Sequence, residues 1–482
     1  MLQNIKTFRG NQGCAFCLHS GEEYSVGRGR TRLYRGDIGI KRNLQQHKND
    51  TLQVVRNCRV LNGIKGPSVL LLLKEFNIIK SFVPEYMHSV LLGVVKTMVS
   101  WWMDGKNKNR SFYIGNDAKI KEIDTLLLSI KPPCEITRTP RSLFDRKLWK
   151  ASEWKNFLLY YSFICLQSVN MPKKYLDHWF LLVYSINIFL QEQFSEIEFI
   201  KATKALRKFV LSIENIYGTS ELMKYNFHLL LHIPKSVKNF GSLWAVSAFP
   251  YEHYNGVLSK MFRNSHSVPL QICKTYLRMQ SLQEMASNEF QNNNCSDIAR
   301  NLFKKLFIQK SFRHCLKYGD STRLLGIPDM NILTLREKTV IEALIGEEIL
   351  NLNILTFKRF IHNNILYHVK GYERMIKRSN NIVQLEDKEF LSLTHIMIVN
   401  TALSNKQLCV LLGLKLHCFG ESLSRDIETG ITSNLIFSIV EQTDSCVAIV
   451  PEMLFKKCVI TPHPNDRRKF YCFPLVNSLE TD

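Results

Sequence analysis

The sequence predicts a mainly α-helical protein with a β-rich C-terminal module, and three observations carry that prediction. Over residues 85–289 apolar side chains recur at three- and four-residue steps, the spacing of a helix with one buried face. After Phe357 the pattern changes to short runs rich in Ile, Val, Leu and Tyr, separated by Asn, Asp, Gly and Ser, which is the pattern of strands and tight turns. With 45% hydrophobic and 11% aromatic residues, the 482-residue chain can also bury a large core, which excludes a disordered chain.

Four segments follow in order. Residues 1–84 are rich in Gly and Arg, with one apolar run at 69–73 after the turn signal Gly66-Pro67; irregular structure with a single strand or short helix is expected. Residues 85–290 read as helical. The clearest case is "SEIEFIKATKALRKFVLSIENIYG" at 195–218, where Phe199, Leu206, Phe209, Val210, Ile213 and Tyr217 share a face. Ser195 can cap its start and Gly218 its end. The opposite face, with Lys201, Lys204, Arg207 and Lys208, reads as a solvated face, with a DNA-facing one as the alternative. The charge-free run at 156–172 has about the length of a membrane span. It carries Gln167, Ser168 and Asn170 and ends in proline, so it reads as a buried helix. "QNNNCSD" at 291–297 is a polar break, after which 291–356 reads as a helical linker and 357–482 as a β-rich module, a small antiparallel sheet or partly closed barrel.

The chain carries 64 Lys and Arg against 42 Asp and Glu, a net charge of +22, which makes an acidic polymer such as nucleic acid the expected partner. Residues 1–60 hold eleven basic and four acidic residues, a net of +7. Much of it lies in "GRGRTRLYRG", so Arg28, Arg30, Arg32 and Arg35 are candidate DNA contacts. Thirteen widely spaced cysteines, an odd number, do not form a secreted disulfide framework and point to a reducing compartment. The N-terminus lacks the apolar core of a signal peptide, and nothing amphipathic precedes the first cysteines. A nuclear protein without a membrane partner is expected, with self-association left open.

Three constellations can carry chemistry. Cys14-x-x-Cys17 lies in a Gly-containing turn that lets two thiolates converge on one ion, half of a tetrahedral zinc site. "YNFHLLLH" places His228 and His232 four apart, on one face of a helix, and completes a Cys2His2 set; His19 competes as a third ligand. "FVPEYMH" sets Glu85 and His88 three apart at a helix start, where they can orient a metal or a phosphate-bound water, or simply favour the helix dipole. In "LWAVSAFPYEHYNG", Glu252 follows Pro250 among Trp244, Phe249, Tyr251 and Tyr254. A carboxylate there can hold a divalent ion at a phosphodiester while a ring such as Trp244 stacks on an unpaired base; the plainer reading is a first-turn glutamate beside a hydrophobic staple.

These stretches together resemble the transposases of CACTA (EnSpm) DNA transposons, especially the animal forms. The likeness runs from Gly13-Cys14-x-x-Cys17-Leu18-His19 through "LNGIKGPSVLLLL", "FVPEYMHSVLLGVVK", "IKPPCEITRTPRSL", "WKASEWKNFLLYYS" and "YNFHLLLH" to "LWAVSAFPYEHYNG", covering roughly residues 10–285. It implies the helical insertion and C-terminal part of an RNase H-like transposase core, in which two aspartates and a later glutamate hold two divalent metals for strand cleavage and joining. Glu252 matches that glutamate, Cys14 and Cys17 match the CxxC, and Glu85 and His88 match a [C/D]xxH element, with Glu85 departing from the expected Asp or Cys. The family's two aspartates precede the CxxC. Here thirteen residues stand before Cys14, none of them Asp. The expectation is therefore a transposase-derived DNA-binding protein, truncated at its N-terminus, with a structural Zn2+ and no cleavage activity as given. Mg2+ or Mn2+ would belong only to a full catalytic core. The alternatives are the back half of an active enzyme with a misplaced start, and a domesticated protein or chromatin interaction module.

Overall fold

The computed structural model describes residues 2–27, 29–291, 296–303, 314–350, 353–372, 374, 377–404, 406–477 and 480. Helices dominate as far as Gln291 and strands from Cys315 onward, so the protein is mixed α and β with a β-rich C-terminal part. The chain divides into two compact units. One comprises Met1–Ala248, Leu416–Gln442 and Lys456–Glu480, the other Phe249–Lys415 and Thr443–Phe455.

In the first unit the helix Lys173–Leu190 is buried at every position from His178 to Leu190. A helix apolar all round belongs inside a bundle, and most of its few polar groups find partners, His178 Nδ1 being buried with none among the described residues. Trp179 donates to the Ser162 hydroxyl at 2.8 Å, and His178 Nε2–H donates to the Phe209 carbonyl at 2.8 Å while the ring stacks on Phe209. The next helix, Glu196–Leu211, packs along it. Ser195 caps that helix reciprocally with Glu198, and Gly218 closes the following short helix Ile213–Tyr217 at φ +66°. The 195–218 run thus breaks once, at Ser212. Its basic face is not simply solvated: Lys208 reaches Asp426 and Glu428, at 2.5 and 2.6 Å, and Arg207 pairs with Asp37. The 156–172 run is a buried helix that opens with a π-helical turn, Phe157–Tyr161. No helix among the described residues is long and apolar enough to cross a membrane.

Two segments depart from the sequence reading. Residues 1–84 hold a hairpin, Glu22–Val26 with Gly29–Leu33, and a 14-residue helix, Leu44–Asn57, rather than largely irregular chain. That helix buries His47, Asp50 and Thr51 beside Val54, so its inner face is mostly polar and shows no apolar period. The 291–356 stretch is not a helical linker: among its described residues Asp297–Phe303 and Leu335–Ile345 are helical, but Cys315–Tyr318, Thr322–Leu325 and Asp329–Ile332 are strands. Cys315–Tyr318 and Thr322–Leu325 form a hairpin, but the strands that join it and Asp329–Ile332 to the rest of their sheets lie well downstream, Thr322 opposite His362 and Asp329 opposite Thr356, and strands of four residues leave little local signal.

Strands Gln407–Phe419, Ser438–Ile449, Lys469–Pro474, Leu454–Pro462, Ile382–Leu385 and Phe390–Asn400 follow one another in the sheet, and Phe390–Asn400 pairs back onto Gln407–Phe419, closing a six-stranded barrel. Asn353–Phe357 and Asp329–Ile332 extend it beyond Phe390–Asn400. Within the first unit, strand Leu454–Pro462 carries Lys457, whose side chain is 1% exposed and whose ammonium donates to both Glu135 carboxylate oxygens at 2.7 and 2.9 Å. Burial pushes the Lys457 pKa down and Glu135 opposes it.

Burial also lowers the His178 pKa from 6.5 to about 4, so the folded state holds this imidazole neutral. Its contribution to stability is complete above pH 6.5 and is lost as pH falls towards 4, about 3 kcal/mol in all. Denaturant unfolding across that window should show the slope, and His178→Phe should flatten it.

Candidate metal centre

Four ligand-type side chains, Cys14, Cys17, His228 and His232, converge in the buried interior of the first unit, their ligating atoms all within 4.8 Å of one another. Cys14, Cys17 and His228 are fully buried and His232 is 7% exposed. Cys14 Sγ lies 3.6 Å from His232 Nε2, Cys17 Sγ 3.3 Å from His228 Nε2, and the two Nε2 atoms 3.2 Å apart. In a tetrahedral Cys2His2 site, with metal–sulfur bonds of about 2.3 Å and metal–nitrogen bonds of about 2.0–2.1 Å, the S···N edges come to about 3.6 Å and the N···N edge to about 3.3 Å. The side chains therefore fit a metal ion with little movement.

The backbone brings the cysteines there. Arg42, itself buried, donates from Nε to the Cys14 carbonyl at 2.8 Å and from Nη2 to the Gln12 carbonyl at 2.7 Å, and its N–H reaches the Phe16 carbonyl. The turn between the cysteines is thus clamped from inside. Gly63, at φ +78° in a turn, sits where a Cβ would lie 2.2 Å from the Gln12 carbonyl oxygen, so only glycine lets this turn approach the chain ahead of Cys14. The histidines arrive on the helix Tyr225–Leu230 and at the junction before Ile233–Phe240. The junction tightens to i→i−3 hydrogen bonds, Leu231 to His228 and His232 to Leu229, which keeps both rings on one side.

Tyr34 stacks on the His228 ring at 4.9 Å and anchors its hydroxyl on the Phe8 carbonyl at 2.6 Å. His228 Nδ1 is buried with no hydrogen-bond partner among the described residues, so aromatic packing rather than a second hydrogen bond sets this ring's orientation. Burial lowers the His228 pKa and keeps it a neutral ligand. The hydrogen bond from Cys14, with help from both histidines, lowers the Cys17 pKa, whereas burial and then Cys17 raise that of Cys14. One thiolate forms readily and the second is resisted, a conflict that a divalent cation removes. His19 stands outside the cluster. Its Nε2–H donates to the Arg35 carbonyl and its Nδ1 accepts from the Gly21 N–H, both at 2.9 Å, so both ring nitrogens are committed.

Glu85 is occupied by backbone. Its carboxylate accepts from the N–H groups of Met87 and His88, both at 2.9 Å, from Ala248 N–H at 3.0 Å and from His88 Nδ1 at 2.7 Å. It caps the π-helical segment Met87–Val95 and ties it to the chain just before Phe249. His88 is exposed. Along that helix, Gly93 faces Asn226: a Cβ there would lie 2.5 Å from Asn226 Nδ2 and 2.9 Å from the His88 carbonyl. The missing side chain is what lets the His228 helix lie against it.

Glu252 is exposed in the first turn of the helix Phe249–Ser259, in the second unit. Trp244, in the first unit, is half-buried, and its indole N–H is buried with no partner among the described residues. The arginine cluster is largely paired. Arg30 faces Glu23 at 3.5 Å; Arg32, 12% exposed, donates to the carbonyls of Arg9, Ser20 and Gly21; Arg35 grips Glu214 at 2.6 Å. Arg28 lies outside the described residues. Sequence reasoning missed Arg42 and Tyr34 as supports of the centre, and no spacing in the chain marks either of them.

The chain matches no protein-family model, no curated protein and no solved structure.

Cys14→Ala and His232→Ala should each abolish stoichiometric metal content, measured by elemental analysis, and lower the melting temperature. Gly93→Val should weaken metal retention against a chelator without touching a ligand, because overpacking at the His228 helix costs about 1–3 kcal/mol.

Proposed function

We propose that this is a transposase-derived DNA-binding protein whose Cys2His2 centre holds a structural Zn2+. The observation that carries the reading is the convergence of Cys14 and Cys17 with His228 and His232, separated by 218 and 211 residues, ahead of Glu252 in the chain. This is the order of elements that the resemblance to CACTA transposases implies, in which a zinc-braced helical insertion precedes the last catalytic carboxylate of an RNase H-like core. Two thiolates and two imidazoles closed around one point, with no open fourth position, suit a structural zinc rather than a catalytic one.

The +22 charge supports DNA as partner and a nuclear location. Arg30 and Arg35, 77% and 48% exposed, can exchange their carboxylate partners for phosphates, whereas Arg32 is held by backbone carbonyls and serves the hairpin. Trp244, half-buried, would stack on a base only at its exposed edge. Glu252 is the single carboxylate of the family's catalytic set in these 482 residues, and Glu85 is engaged by three backbone N–H groups. Two-metal phosphoryl chemistry with Mg2+ or Mn2+ needs several carboxylates a few ångströms apart. The chain as given therefore binds DNA without cutting it.

Fluorescence anisotropy with duplex DNA should show an affinity that falls steeply and log-linearly with salt, with a slope of about −0.9 per phosphate neutralised. The double variant Arg30→Glu, Arg35→Glu should flatten the slope; affinity independent of salt in the parent protein would refute the DNA reading. Supercoiled plasmid incubated with the protein and Mn2+ should remain intact. Nicking that disappears in Glu252→Ala would show that the metal site is completed after all.

A further inference from the structure

Beside the metal centre, within the first unit, lies a cleft of about 420 Å³, in the size range of small-molecule sites. Its wall is mixed. Phe16, Phe82 and Phe199 give it an apolar side, and Lys41, Lys80, Lys235 and Lys238 stand around it. All four lysines are exposed, and none has an ion-pair partner among the described residues. The cleft's one carboxylate, Asp37, is already held by Arg207. The four lysines are therefore a local excess of positive charge with no internal counter-ion. Two further lining residues, Thr203 and Ser236, carry hydroxyls buried without a hydrogen-bond partner among the described residues, and Ser236 is 5% exposed. Buried polar groups without partners are uncommon in folded proteins and mark places where a ligand or ion completes the site.

We propose that this cleft is a nucleoside-phosphate site. Lysines on three separate segments suit a phosphate carrying more than one charge, for which the ammonium is a well-matched donor. The apolar side suits a planar base, and the unpartnered hydroxyls suit a ligand bearing donors and acceptors along its body. A fatty acid, with a single charge and no polar groups on its chain, would leave Thr203 and Ser236 as they are. The nucleoside phosphate can come from two sources, a free nucleotide or the terminal nucleotide of a single-stranded DNA segment. The inference does not depend on duplex binding.

The test uses the full chain, with its metal content verified, titrated calorimetrically with AMP, dTMP, adenosine, inorganic phosphate, decanoate and a 5′-phosphorylated ten-nucleotide oligo(dT). AMP or dTMP should bind more tightly than adenosine or phosphate alone if the source is a free nucleotide. The oligonucleotide should bind at least about tenfold more tightly than dTMP if the source is a DNA end. Either pattern supports the site. Lys235→Glu with Lys238→Glu, surface changes that spare the core, should lower nucleotide or oligonucleotide affinity by at least about tenfold. Thr203→Val, isosteric and uncharged, should lower it by a smaller factor with metal content unchanged. The proposal is overturned if no nucleotide or oligonucleotide binds, if the lysine variants bind as the parent does, or if phosphate or decanoate binds as tightly as the nucleotides. Salt-dependent duplex binding alongside any of those results would leave the DNA reading standing and remove only this site.

Discussion

Everything in the first unit depends on one convergence: two thiols from a turn near the start of the chain meet two imidazoles more than two hundred residues later. Closing so long a loop costs conformational entropy that grows only slowly with length, but four polar ligand atoms brought together in a buried interior cost far more unless something satisfies them. A divalent cation held there would do both jobs at once, neutralising the thiolates and cross-linking the cysteine turn to the histidine helices. The surrounding structure is arranged around that point. Arg42 holds the cysteine turn by its carbonyls, Tyr34 covers the His228 ring, and Gly93 gives up a side chain so that the histidine helix can approach.

The second organising theme is the use of charge inside the fold. A chain with +22 looks built to meet an external polyanion, yet many of its cations are already engaged. Arg35 and Arg207 reach Glu214 and Asp37, Lys208 reaches Asp426 and Glu428, and Lys457 is buried against Glu135. Exposed pairs of this kind contribute little to stability and can exchange partners. The Lys457–Glu135 pair differs, because removing Glu135 would take the carboxylate away from a buried ammonium. What remains free for an anion is therefore a subset of the basic residues, and the lysines around the cleft beside His232 belong to it.

Glu85 shows how a residue's chemistry is decided by what surrounds it. By composition it is a carboxylate three residues from a histidine, equally suited to a metal or a helix end. Its oxygens are filled by the Met87, His88 and Ala248 N–H groups and the His88 ring, so its work is to start a helix and fix the chain that leads to Phe249.

Legible in the sequence were the helical body, the strands that follow Phe357, the Ser195 and Gly218 caps and the four candidate ligands Cys14, Cys17, His228 and His232. Each of these is written in local spacing: helical period, alternation, capping chemistry, and ligand pairs three or four residues apart. Tertiary structure alone decided the rest. The helix Leu44–Asn57 hides because its buried face is His47, Asp50 and Thr51, which carry no hydrophobic period. Of the strands between residues 315 and 332, Cys315–Tyr318 pairs with its neighbour Thr322–Leu325, but Thr322–Leu325 and Asp329–Ile332 join their sheets through partners 21 to 40 residues away. The choice among Cys14, Cys17, His19, His228 and His232 likewise lies in three dimensions, since His19 is disqualified by hydrogen bonds to Arg35 and Gly21 that no spacing records. Local pattern reports what a side chain prefers; only long-range contacts, made after the loop is closed, determine what it touches.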